Sequence, residues 1–517
     1  MPPIVLPRRV NVESQSVQRE GSSNDHSSRQ EERTVGSQVQ SRMVPSDKVE
    51  AKILTQEEPV VLRRSTCVSH PPERFVPGLD NVMLTDCGEP SCYKDAMSRD
   101  DKLKWERAME SEMDSIEKNQ TWELVPLPQG KNALPCKWVY KLKVTSDNAK
   151  PKYKAHLVAK GFKQEKGVDF DEIFSPVVKM TTLRTVLALV AKEDMDLVQL
   201  DVKTTFLHGD LHNEIYMQQP EDFIEKGKEK LFCKLKKSLY GLKQAPQEWY
   251  NKFDAFMQTQ GYARSETDHC LYTKRAKDGS LIVLIPYVDD MLIAGRSGYE
   301  IDALKKRLMD AFEMKDLGDA NHILGMRIIR DRTKRLLYLS QKDYVSKVLQ
   351  RFNMEGGKAI STPLPPYLKL NAKGSLKSDV ETAEMAKVPY ASCVGSLMYA
   401  MIATRPDIVF AVGVVSRFMS DPGKKHWEVV KGILRYLSGT KDMCICFGKS
   451  NSGVLGYTNS DYVGNSYSRR STTGYIFTLY GGAISWMSRL QKCVALSTTE
   501  VEYVVAIEAC KEAIWLI

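Results

Sequence analysis

An α+β core is what this sequence predicts, on three observations. Helix-period and strand-period apolar patterns interleave between residues 175 and 350. Two apolar runs in that block, "SLIVLIPYV" and "DMLIAG", read as the arms of a hairpin that meet at adjacent aspartates, Asp289 and Asp290. Upstream, "KWVYKLKVTSDNAKPKYKAHLVAKGF" (137–162) reads as a second hairpin, dense in lysine, with its turn at Ser146-Asp147-Asn148.

The bulk numbers set the frame. At 517 residues the chain exceeds a single core, so roughly two to four domains are expected. An apolar fraction of 42% and a charged fraction of 27% are ordinary for a globular protein. No apolar run approaches the roughly 20 residues that span a bilayer. The N-terminus lacks the apolar stretch of a secretory signal. An intracellular chain without a membrane partner is therefore expected. The net charge of +9 permits a polyanionic partner without demanding one. Eleven cysteines are scattered from Cys67 to Cys510 without zinc-site spacing and read as reduced thiols.

Residues 1–65, rich in Ser, Gln, Glu and Arg, bury too little apolar surface to offset ordering entropy, and a disordered segment is predicted there. In "DKLKWERAMESEMDSIEKN" (101–119), Trp105, Met109, Met113 and Ile116 recur at helical spacing. "TTLRTVLALVAKE" predicts a helix feeding the strand "DLVQLDV", and "WYNKFDAFMQTQGY" another helix. Residues 356–379 read as an extended connector. Two helical segments follow, "VGSLMYAMIATRPDIVFAVGVVSRFM" and "HWEVVKGILRYLSG". From "GVLGYTNSDYVG" the strand pattern returns, before a last helix, "TTEVEYVVAIEACKEAIWLI". No internal repeat is visible.

The paired acids raise the chemical question. Burying two neighbouring carboxylates costs several kcal/mol unless something positive answers them. Taken alone, Asp289-Asp290 is compatible with a solvated polar turn. Asp201 adds a third acid, since it too ends an apolar strand and precedes a turn. Strand-end aspartates from separate segments can hold two Mg²⁺ ions about 4 Å apart and orient an in-line phosphoryl transfer. The lysine hairpin and Phe206, five residues after Asp201, complete a set of parts suited to nucleotidyl transfer. Spacing alone does not decide between the two readings.

Ordered blocks along the chain do. "WVYKLK", "YKAHLVAKGF", "DFDEIFSPVVKMTTLR", "QLDVKTTFLHGDL", "SLYGLKQAPQEWY", "YVDDMLIAG", "FEMKDLG", "ILGMRI", "YLSQKDY", "PYASCVGSLMYAMIATRPDI" and "GGAISWMSRLQKCVALSTTEVEY" resemble the reverse transcriptase region of copia-type long-terminal-repeat retrotransposons, in that family's order, over roughly residues 98–517. A weaker likeness, "VLRRSTCVSHPPERF", matches the spacer between integrase and polymerase. The resemblance implies a right-hand polymerase (fingers, a ferredoxin-like palm, thumb) followed by a truncated ribonuclease H-like α/β domain. It divides the chain into a spacer (1–97), fingers and palm (98–350), thumb and connection (351–450) and partial ribonuclease H (451–517). It implies that Asp201 and Asp289 ligate both Mg²⁺ ions, with Mn²⁺ as a substitute, and that Asp290 contributes less directly. Phe206 matches the aromatic that excludes a ribose 2′-OH, its alternative being core filling. Tyr240, Gly241, Lys243 and Pro246 match the segment that contacts nucleotide and template. Lys141, Lys143, Lys154 and Lys160 would meet the triphosphate, or form an ordinary solvated face. The implied partners are dNTPs and an RNA or DNA template with its primer. The implied place is a cytoplasmic virus-like particle with access to the nucleus. Nothing in the sequence bears on oligomeric state.

The chain also departs from the family. Asn459 stands where the ribonuclease H pattern has an aspartate, and an uncharged amide holds Mg²⁺ poorly. Asp461, on the same strand face, is the candidate for a partial replacement. Glu502 matches the helix glutamate, while the strand that would supply a third acid is not reached by Ile517. An inactive ribonuclease H remnant is expected. His156 and Gln247 replace usual arginines, Asp222 a usual glycine, and Pro286 sits where a central strand is expected. An active RNA-directed DNA polymerase is the leading expectation, and a catalytically silent nucleic-acid-binding fragment of a decayed element the alternative.

Overall fold

The structure, a computed structural model, describes residues 88–143, 151–365, 370, 378–465 and 468–516. The predicted disordered segment, the tip of the lysine hairpin and much of the extended connector lie outside these residues.

Helix α1 (Lys102–Lys118) buries Trp105, Met109 and Ile116, as their spacing requires. It packs on the hairpin of β1 (Cys136–Lys143) and β2 (Lys152–Ala159). The contact is aromatic, with Trp105 edge-on to Tyr140 at 5.3 Å and to Tyr153 at 4.6 Å. A four-stranded sheet, running Trp122–Val125, Phe232–Lys237, Asp210–Met217 and Ala133–Leu134 in spatial order, shares this core.

Helix α2 (Met180–Lys192) leads into β3 (Asp196–Val202), and α3 (Ala245–Thr259) lies further on. The apolar hairpin forms as β4 (Leu281–Tyr287) and β5 (Asp290–Gly295), followed by α4 (Gly298–Ala311) and β6 (Met314–Asp319). These strands build a six-stranded sheet ordered β6, β3, β5, β4, then Tyr272–Arg275 and Ala263–Arg264. Both faces are covered. Leu197, Val283, Ile285, Leu292 and Ala294 pack with Leu183, Val186, Leu187 and Val190 of α2. Leu200, Val202, Ile282, Leu284, Met291 and Ile293 pack with α3 and α4. Burial on alternate faces explains why these strands read as unbroken apolar runs.

Beyond the sheet, α5 (Tyr390–Ala403), α6 (Val409–Val415) and α7 (Lys424–Thr440) form a helical cluster. The single helical stretch expected over residues 394–419 is a misreading. It breaks after Ala403 and resumes through a 3₁₀ turn at Pro406–Ile408. Pro406 has no N–H and disfavours helical geometry at Arg405, whose buried guanidinium binds Asp407 and the Thr440 carbonyl. Strands β7 (Leu455–Asn465), β8 (Arg470–Leu479) and β9 (Gly482–Leu490) then form an antiparallel sheet against α8 (Thr498–Leu516).

This last sheet does not close its own core at residue 451. Phe477, Leu479, Ile484 and Ala509 lie in the same apolar cluster as α2 and the hairpin β4–β5. A buried cation crosses the seam. Arg184 of α2 donates to Ile484 O at 2.7 Å, Ile402 O at 2.7 Å and Ala403 O at 3.0 Å. Its guanidinium lies 3.9 Å from the Trp486 ring centroid. Burial pulls its pKa down to about 9, so it stays charged at neutral pH. Among the described residues no helix is long and apolar enough to cross a membrane. Replacing Arg184 with Met strands three carbonyls, and thermal unfolding should show a loss of about 3 kcal/mol.

Candidate functional site

The tip of the hairpin β4–β5 is two residues long, Val288-Asp289, closed by the pair Tyr287 and Asp290. On its other side β5 pairs with β3, which sets Asp290 directly opposite Asp201. Directly opposed residues project from the same face of a sheet, so these two acids share one face. Asp289 is drawn in by its backbone, since its carbonyl accepts the Val202 N–H at 2.8 Å. Gln199, two residues before Asp201 on that face, donates from Nε2 to Asp290 Oδ1 at 3.1 Å. On the outer side β6 places Lys315 opposite Asp201. Lys203 and Lys118 are both engaged by Glu313, each at 3.0 Å. Among the described residues Asp201 has no ion-pair partner.

An all-oxygen set of this kind fits a hard cation. No three acid, histidine or cysteine side chains among the described residues already form a metal cage. Mg²⁺ rarely needs one, because it is usually held by one or two carboxylates together with water and substrate phosphates. Val288 sits at φ 55°, a strained conformation for a β-branched residue.

Pro286 proves well placed. It pairs with Met291 next to the turn, while Tyr272–Arg275 on its outer side pairs no further than Leu284. A two-residue hairpin makes Tyr287 and Asp290 the hydrogen-bonded pair, so the Pro286 nitrogen points away from β5 to where no strand needs it.

A second line of residues approaches from the lysine hairpin. Phe206, in a 3₁₀ turn after β3 (Thr205–His208), is half-buried and edge-on to Tyr240 at 4.8 Å. Tyr240 lies against His156 at 4.9 Å, and its carbonyl accepts the Ala159 N–H at 2.8 Å. Gly241 has φ +89°, and a Cβ there would overlap the Ala159 carbonyl. A Cβ on Gly161 would likewise strike the Gly241 carbonyl. The two glycines let the end of β2 and the 240–241 turn touch backbone to backbone.

Buried glutamines extend this joint. Gln164 Oε1 accepts the Lys243 N–H at 2.8 Å, and Gln164 Nε2 donates to Gln244 Oε1 at 3.0 Å. The Lys243 side chain is spent internally, on Gln164 O at 3.1 Å and over the Phe170 ring at 4.5 Å. Pro246 opens α3, where its missing N–H costs nothing.

On the hairpin, Lys141 stands directly opposite Lys154. Lys160 closes β2, its N–H on Pro135 O at 2.8 Å. The side chain of Lys143 lies outside the described ones. His156, on the same face as Lys154, meets Glu112 Oε1 at 3.3 Å. Glu112 is only 6% exposed and interrupts the apolar face of α1.

The residues of the second acidic set lie on β7 and α8. Asn459 and Glu502 are both exposed. Asp461 turns its carboxylate onto the Thr472 N–H across the sheet, beneath Gly464, at a register shift where Val463 has φ 56°. Its carboxylate is already engaged with its own sheet.

Comparison with known proteins adds an independent observation. Residues 119–366 match the reverse transcriptase (RNA-dependent DNA polymerase) family. The chain is 56% identical over 443 residues to the retrovirus-related Pol polyprotein from transposon TNT 1-94 of Nicotiana tabacum, covering 86% of the chain and 33% of that polyprotein. It is 39% identical over 416 residues to the Pol polyprotein from transposon RE1 of Arabidopsis thaliana, covering 80% of the chain and 28% of that protein. A transposon Ty5-1 protein of Saccharomyces cerevisiae is 32% identical over 317 residues, which is 60% of the chain and 100% of that protein. The chain thus spans about a third of the length of the two polyproteins it matches.

Two glycine- and proline-specific outcomes follow from the backbone. Gly241→Ala should cost about 2 kcal/mol or more and expose the β2 end to limited proteolysis. Pro286→Val should leave the unfolding midpoint within about 1 kcal/mol of wild type.

Proposed function

Because the chain belongs to the Pol polyproteins of copia-type retrotransposons, we propose that it is the RNA-directed DNA polymerase of such an element, extending a primer on an RNA or DNA template. One observation carries this reading. Asp201 and Asp290 are opposed across one ladder, and the Asp289 carbonyl is bonded beside Asp201. In this reading the six-stranded sheet is the palm, the lysine hairpin belongs to the fingers, and the α5–α7 cluster is thumb and connection. The fingers and palm take residues 98–350 and the thumb and connection 351–450.

Asp201 and Asp289 would hold Mg²⁺, with Asp290 behind them, braced by Gln199. When bound, the metal lowers the pKa of the primer 3′-OH and neutralises charge on the triphosphate, with Mn²⁺ able to substitute. The 3′-oxygen then bonds to the α-phosphorus as the bond to the bridging oxygen breaks and pyrophosphate leaves. Lys141, Lys154 and Lys160 provide a positive field for the triphosphate and backbone phosphates, without reading sequence. Phe206 and Tyr240 form the wall beside the sugar, and Gly241 keeps that wall against the hairpin. The setting would be a cytoplasmic particle whose DNA product gains access to the nucleus.

Residues 451–517 take the ribonuclease H position in this reading, without the activity. The uncharged Asn459 and the committed carboxylate of Asp461 support that part of the proposal. They also favour, at this second site alone, the reading of a silent remnant.

Purified chain with Mg²⁺ should incorporate dTTP on poly(rA)/oligo(dT), and Asp289→Asn should lower the rate on the order of a thousandfold without weakening primer–template binding. Equal inactivity of both proteins while both bind would defeat the polymerase reading. An RNA–DNA hybrid should remain uncut, and cleavage lost on Glu502→Gln would refute the inactive-remnant assignment.

A further inference from the structure

We infer that Trp249 is a positioning residue for the turn that presents Asp289, acting through the carbonyl of Val288. The inference rests on the polymerase reading above. Asp289 lies between two peptide groups. The one on its C-terminal side is held by the Val202 N–H, 2.8 Å from Asp289 O. The one on its N-terminal side is held by the Trp249 indole N–H, with Nε1 3.1 Å from Val288 O. With both peptides pinned, the Cα that carries the Asp289 carboxylate is fixed next to the end of β3.

The second pin matters because the turn is strained. Val288 at φ 55° occupies a conformation that costs a β-branched residue about 1–3 kcal/mol. Such a conformation persists only where its surroundings over-determine it. Trp249 can impose it because its own ring is immobile. It is 4% exposed and carried by α3. It packs edge-on to Phe312 at 5.3 Å and tilted against Phe253 at 5.6 Å and His208 at 5.8 Å. A phenylalanine would fill this aromatic cluster nearly as well. What the indole adds is one N–H, and that N–H is aimed at the turn.

The test uses the full chain with primer–template and the variant Trp249→Phe, which keeps a ring and deletes the donor. Misplacing the acid by a fraction of an ångström should lower kcat for dTTP about tenfold or more. The primer–template Kd should stay within about twofold, because primer–template binding does not use the turn. Mn²⁺ affinity, read by electron paramagnetic resonance with Asp289→Asn as the reference for a lost site, should weaken about threefold or more. Glycine accepts a left-handed φ without strain. In a Val288→Gly background, therefore, Trp249→Phe should cost less than about threefold in kcat, a non-additivity that a purely structural ring would not produce. Unchanged Mn²⁺ affinity in Trp249→Phe, or the same loss of kcat in both backgrounds, overturns the inference. A wild-type chain that binds Mn²⁺ through Asp289 yet incorporates nothing sinks the polymerase reading instead, and the Mn²⁺ measurement still decides the role of Trp249.

Discussion

The ladder between β3 and β5 is the constraint on which the rest of this molecule depends. It sets Asp290 against Asp201, a like-charge pairing that on its own disfavours the two strands by roughly 0.2–1 kcal/mol. The ladder forms because the residues behind the acids leave it little choice. Leu200, Met291, Leu292 and Ile293 are each no more than 1% exposed, and slipping the register by one would invert every one of them. Apolar burial on both faces fixes the register, and the register delivers the acids to one end of the sheet. In the proposed reading a cation there would convert the local repulsion into a binding site.

Holding the sheet is not enough, because the surfaces that would meet substrate come from other elements. Two joints made of backbone and small polar groups tie them in. Gly161 and Gly241 bring the lysine hairpin against the turn that carries Tyr240, and Gln164 with Gln244 satisfies the polar groups buried there. From that joint His156, Tyr240 and Phe206 form a line of rings reaching back to the segment after Asp201. Neither joint uses an exposed ion pair, so neither is weakened by salt screening.

Much of this was legible in the sequence. Helix α1, the lysine hairpin, α2 with β3, and the hairpin β4–β5 were all readable because each carries a strong apolar period of its own. The break at Pro406 was there to be read, yet the apolar runs on either side masked it. Pro286 looked like damage because strand position was judged without knowing where the neighbouring strand stops; only the sheet shows that its nitrogen faces no partner. The acids Asp201, Asp289 and Asp290 were visible as residues, but the pairing of Asp201 with Asp290 is a long-range fact that no local pattern encodes. Gln199, Glu112, Gln164 and Trp249 escaped notice for the same reason. A polar residue within an apolar strand or helix is a weak signal until the group it satisfies is known.

The C-terminal sheet is held by packing that it shares with the rest of the molecule. Asn459 is exposed, and Asp461 is bound to the backbone of its neighbour strand. Phe477, Leu479 and Ile484 share a core with α2, and Trp486 covers Arg184 while donating its own N–H to Met401 O at 2.9 Å. Helix α2 in turn backs β3, the strand that ends in Asp201. Substitutions at Ile484 or Trp486 therefore loosen the floor beneath Asp201. Packing is a physical constraint that acts on this sheet.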